Sequence, residues 1–124
     1  MLYSPPTHES TKIRIEELSV LGDGWLDGEQ GCAIDKDGLY WLQSKLLCFD
    51  ERLLPWVFPS IDPDFDVLLE WTTERKNEIS LWVNVKTKRS ELHILSLHPD
   101  FNNELLLDMS HDESWEWVQR RING

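Results

Sequence analysis

Three groups of residues in this chain are of types that perform chemistry. Asp23, Asp27 and Glu29 fall at spacings of four and two, within a loop that also holds Gly24, Trp25, Gly28 and Gly31. Oxygen donors of this kind suit Ca²⁺ or Mg²⁺, but the loop lacks the acid order and closing glutamate of an EF-hand. Asp62, Asp64 and Asp66 alternate on an extended segment and crowd three carboxylates, although the first two straddle Pro63. Both sets read more simply as solvated acidic turns, with Asp27 accepting backbone N–H bonds inside its loop. No metal is expected at either.

The third group is the histidines and cysteines, His8, His93, His98, His111, Cys32 and Cys48, among which no pair has a zinc-site spacing. His98-Pro99-Asp100 and Ser110-His111-Asp112 contain triad residue types. Adjacent side chains on a turn cannot form the relay, which needs each group to face the next in space. The glycine-rich stretch at 22–31 lacks a Gly-Lys-Ser/Thr end and follows no strand, so it is no phosphate loop. The expectation is a protein that is not an enzyme and carries no cofactor.

Glu70, beside Trp71, is the acid most worth attention. Strand alternation puts it on the face opposite Val67 and Leu69, the side that can hold Trp82 of the next strand. A carboxylate among aromatics can hold an organic cation by charge and cation–π contact; the plainer reading is an exposed glutamate on a solvent face. Trp56, Glu70, Trp71 and Trp82 are therefore the candidate binding residues.

The elements that must position these groups follow from periodicity. Thr7 can cap a first helix over His8–Leu21, with Ile15, Leu18 and Leu21 on one face and Gly22 as its stop. Asp35 can cap a second, in which Leu39, Leu42, Leu46 and Phe49 recur at steps of three and four. Gly38 in its first turn costs up to about 1 kcal/mol relative to Ala, which suggests a close packing partner. The loop between them, signed by Gly24, Trp25, Asp27 and Gly28, is expected to be shaped, with Trp25 plugging the crook of the helical hairpin.

From Pro55 the period becomes two. Pro55, Pro59 and Pro63 make 56–61 an edge segment or linker. Alternation then predicts four strands, around Val67–Trp71, Ile79–Val85, Leu92–Leu95 and Leu105–Met109, joined by short polar turns into an antiparallel meander. Ser110-x-x-Glu113 reads as a capping box for a last helix whose inner face is Trp115, Val118 and Ile122. The expected fold is α+β: a helical hairpin, a four-stranded meander and a C-terminal helix in two layers.

Size and composition agree with one domain over 1–124, residues 1–7 forming an extended lead-in. Seven tryptophans and 40% hydrophobic residues exclude a disordered chain. A net charge of −11 repels phosphate backbones and favours a basic partner or a cationic ligand over nucleic acid. Two distant cysteines, no signal-peptide pattern and no long apolar run suggest a cytoplasmic protein with no membrane role.

Gly24-Trp25-Leu26-Asp27-Gly28-Glu29, with Gly38-Leu39, Trp41-Leu42 and Leu69-Glu70-Trp71 after the proline-punctuated segment, resembles a group of small uncharacterised bacterial proteins with a Gly-Trp-x-Asp-Gly loop. The resemblance spans residues 13 to 85, with an echo at 115–118, and departs from the group at Asp64-Phe65-Asp66, where its members carry a glycine pair. It implies a shared fold and no particular chemistry. The reading that combines these observations is an acidic, non-catalytic interaction or regulatory module that docks a protein partner, or a second copy of itself as a homodimer, through an aromatic sheet face. The alternative is an organic-cation binder in which Glu70, Trp71 and Trp82 form a cage between sheet and helices.

Overall fold

A computed structural model describes residues 5–25, 33–73, 77–95 and 103–123. The described elements run α1 (His8–Ser19), α2 (Lys36–Leu46), a 3-10 turn (Glu51–Leu53), β1 (Trp56–Pro59), β2 (Val67–Thr72), β3 (Glu78–Val83), β4 (Arg89–Leu95), β5 (Asn103–Asp108) and α3 (Asp112–Asn123). The strands pair in chain order as one antiparallel sheet. This is the α+β class expected from the sequence, with five strands in place of four.

The additional strand is β1, in the segment whose prolines allowed only an edge or a linker. It is an edge strand, pairing Trp56 with Glu70 and Phe58 with Leu68. Pro59 is its last residue, so its missing N–H interrupts no central ladder. Arg14 of α1 donates from Nε to the Val57 carbonyl at 2.8 Å. That bond occupies a backbone acceptor of an edge strand, where such groups otherwise invite other chains.

Both hairpin helices begin where their caps indicate. Thr7 accepts the Ser10 N–H at 3.0 Å, and Ser10 Oγ accepts the Thr7 N–H at 2.8 Å. Asp35 accepts the Gly38 N–H at 2.8 Å. Gly38 is needed for space: a β-carbon there would lie 2.5 Å from Val85 Cγ2 and 2.8 Å from the Val85 carbonyl oxygen. Gly24 has φ 80, and Asp23 Oδ1 accepts the Ala33 N–H at 2.8 Å. Trp25 is half-buried rather than sealed, and Asp27 and Gly28 lie outside the described residues.

The start of α3 differs from the expected capping box. The helix begins at Asp112, one residue too late for Ser110 to be its N-cap. Ser110 instead donates its hydroxyl to Asp108 Oδ1 at 2.6 Å and its N–H to the same oxygen at 3.0 Å. Asp108 won because it closes a short turn at the end of β5. These two bonds hold the Asp108 carboxyl below the usual carboxylate range, the hydroxyl contributing most. Lys45 of α2 pairs with Asp112 at 2.8 Å and ties α3 to the hairpin.

The core lies between the sheet and the helical layer. Ile15, Leu18, Leu39, Leu42, Leu46, Trp115 and Val118 close over Val57, Leu69, Leu81 and Leu92. Two buried tryptophans keep their indole N–H groups satisfied, as burial requires. Trp71 donates to the Leu53 carbonyl at 2.7 Å and Trp115 to the Met109 carbonyl at 2.8 Å. Phe49 and Trp41 meet Trp115 edge-on, with centroids 6.0 and 5.9 Å away. Among the described residues no helix is long and apolar enough to cross a membrane.

Candidate functional site

Because strand side chains alternate, the sheet that buries Leu69 and Leu81 inward must present every second residue outward. The register assembles those residues into rows. One row runs Trp56, Glu70, Ser80, His93, Glu104 from β1 to β5. The next runs Phe58, Leu68, Trp82, Glu91, Leu106. The buried residues of all three helices belong to the core on the other side.

The outer face carries an apolar run across β1–β3, interrupted at β4 by Glu91. Trp56, Phe58 and Leu106 are exposed, Leu106 by 82%. Leu68 and Trp82 are half-buried between them. Glu91 lies between Trp82 and Leu106, and Glu70, Glu78, Glu104 and Asp108 stand around them, against Arg89 on the same face. An open depression of about 560 Å³ lies at one end, between Phe65, Asn84, Arg89 and Leu106.

The structure unites three of the four candidate binding residues. Trp56 stands opposite Glu70, and Trp82 follows one strand on. Trp71 is 5% exposed and faces the core, because it is one residue from Glu70 on a strand. Glu70, Trp71 and Trp82 therefore do not form one cage. The space between sheet and helices at that point is filled by fully buried Val67, Leu69 and Leu81. A groove of about 390 Å³ between α1 and β1 is lined by Trp56 and Phe58, but by none of Glu70, Trp71 or Trp82.

The acidic turns are backbone acceptors. Asp62 Oδ1 takes the Asp64 N–H at 2.9 Å. Asp66 is half-buried and takes the Val85 N–H at 2.9 Å, while its own N–H reaches the Val83 carbonyl. Burial raises the Asp66 carboxyl above the usual range, opposed by the Val85 bond. His8 contacts the Phe49 carbonyl at 2.7 Å and fastens the start of α1. His111 and Asp112 are both exposed, and Asp112 pairs with Lys45, so Ser110, His111 and Asp112 form no relay. His98, Asp100, Cys32 and Glu29 lie outside the described residues.

One cluster was not singled out from the sequence. Glu91 and His93 sit two apart on β4 and so share the outer face, and register sets Glu104 of β5 opposite His93. His93 Nε2 is 3.2 Å from Glu91 Oε1, and Nδ1 is 3.9 Å from Glu104 Oε1. Each of the three offers a ligand atom within 4.8 Å of the others. The Trp82 ring meets the His93 ring edge-on at 4.8 Å. The Glu-x-His spacing and the neighbouring of these two strands are visible in the sequence; the register that sets Glu104 opposite His93 is not.

The described residues define an α+β domain with a five-stranded antiparallel sheet whose outer side chains face away from the core. No protein-family model, curated protein or solved structure matches the chain.

Proposed function

We propose that the chain is a non-catalytic interaction module whose outer sheet face docks a protein partner bearing basic groups around an apolar patch. One observation carries this reading. The face holds Trp56, Phe58, Leu68 and Trp82 as neighbours across β1–β3, with Leu106 beyond Glu91 on β5, and the buried apolar residues of the described helices pack into the core instead. Aromatic and aliphatic centres within a polar rim are how protein interfaces are built. The rim here is acidic, and the chain carries −11 overall. Stacking two copies face to face would oppose carboxylates with few cations between them, which disfavours a homodimer through this surface.

The test compares capture from source lysate by the wild-type chain and by a Phe58→Ser, Leu106→Glu double variant. The expected result is a partner held by the wild type, weakened by salt and lost in the folded variant. Equal capture by both chains overturns the reading. A wild-type chain that associates only with itself replaces the basic partner with a second copy.

A further inference from the structure

We propose that Glu91, His93 and Glu104 form a binding site for one divalent first-row transition-metal ion, with Zn²⁺ as the reference case. The site is a consequence of register. Two residues apart on β4 puts Glu91 and His93 on one face, and the antiparallel pairing delivers Glu104 across from the imidazole. All three groups project from strands, which fix their backbones more firmly than a loop does.

Charge and hydrogen bonding around the ring call for a cation. Carboxylates flank both ring nitrogens, whereas a neutral imidazole carries one N–H and one lone pair. His93 Nε2 is sealed from solvent and makes no hydrogen bond; its 3.2 Å approach to Glu91 is within ion-pair range but off the hydrogen-bond angle. A metal ion between Nε2 and the Glu91 carboxylate uses the lone pair and neutralises the acids together. Tetrahedral ligands about 2.0–2.2 Å from Zn²⁺ stand roughly 3.3–3.5 Å apart, close to the Glu91–His93 separation. Glu104, whose side chain is 74% exposed, offers the third ligand from within 4.8 Å of the other two.

The donor set selects the ion. One imidazole and two carboxylates suit the borderline first-row dications, whereas Ca²⁺ and Mg²⁺ prefer oxygen throughout. Three protein ligands leave at least one coordination position open. Trp82 braces the imidazole from one side and supplies a fluorescent reporter beside the ion.

The experiment is calorimetric titration of Zn²⁺ alone into the full chain, with far-UV circular dichroism confirming that each variant is folded. The expected result is saturation at one ion per chain, with affinity falling about tenfold or more in both His93→Asn and Glu104→Gln. Glu70→Gln controls for general acidity: Glu70 shares the row but lies two strands from His93, roughly 9–10 Å away. Its affinity should match the wild type. Absence of saturable uptake by the wild type overturns the site. So does one-ion binding that His93→Asn leaves unchanged, or a loss in Glu70→Gln as large as in Glu104→Gln.

Discussion

Trp82 of β3 and His93 of β4 meet edge to face on the outer side of the sheet, their ring centroids 4.8 Å apart at 61°. This contact joins the apolar strip to the ionisable cluster, so the two form one surface. It also ranks the tryptophans by what they do. Trp115 is 3% exposed and bound to the Met109 carbonyl, while Trp82 is half-buried and braces a histidine. Trp115→Ala should cost about 3–5 kcal/mol in a urea denaturation series. Trp82→Ala should cost about 1–2 kcal/mol, the scale of a cross-strand aromatic pair on a half-exposed face.

Gly38 supports a prediction of the opposite kind, in which an added atom does the damage. A methyl group there would meet the side chain and the carbonyl of Val85 at once, and the carbonyl belongs to a turn that Asp66 anchors. The higher helix propensity of alanine offsets part of the clash. Gly38→Ala should still destabilise by about 1–3 kcal/mol, read as a lower melting temperature. Unchanged stability would mean that α2 does not press on this turn.

Asp66 gives a pH test. Its folded carboxyl titrates above the unfolded value because burial disfavours the charge. The folded chain therefore binds more protons between those two values, and stability falls as pH rises through that window. At neutral pH the ionised group is a cost relative to the unfolded chain. Asp66→Asn keeps an acceptor for the Val85 N–H and removes the charge. It should match or exceed wild-type stability at pH 7, with the advantage shrinking as pH falls below the carboxylate range. Asp66→Ala loses the acceptor and should be less stable by about 1–3 kcal/mol. Melting temperatures of the three chains from pH 3 to pH 8 decide it.

Trp71 separates stability from binding. Trp71→Phe strands the Leu53 carbonyl and should cost about 1–3 kcal/mol. Since the ring faces the core, partner capture by the folded variant should equal that of the wild type. Lost capture at unchanged stability would place Trp71 in the site after all.

What could be read in advance was whatever depends on neighbours in the chain. Thr7 and Asp35 cap helices through residues three positions on, and the alternation of Val67, Leu69 and Trp71 puts those residues on one side. The same alternation separates Glu70 from Trp71, which a shared cage would require to face one way. Ser110 reads as a cap from its spacing, but two local acceptors and donors compete for its hydroxyl and it bonds Asp108. β1 was ambiguous because prolines forbid a central strand but permit an edge, and only tertiary contact with α1 and β2 shows which. The Glu91–His93–Glu104 cluster needs the β4–β5 register, which the intervening sequence does not reveal. Asp66 looked like one of three solvated acids because nothing in Asp62–Asp66 announces that Val85 will fold onto it.

The central claim is that the outer sheet face is the working surface, and site-specific photocrosslinking tests it most directly. A benzophenone amino acid replaces Leu106, 82% exposed on the outer face, or in separate chains Val20 or Tyr40, which are 80% and 59% exposed in the hairpin layer. Irradiation in source lysate should give a discrete, salt-sensitive adduct with a basic protein from position 106 and none from positions 20 and 40. Adducts from the helical positions alone would contradict the account and move the working surface to the other side of the molecule.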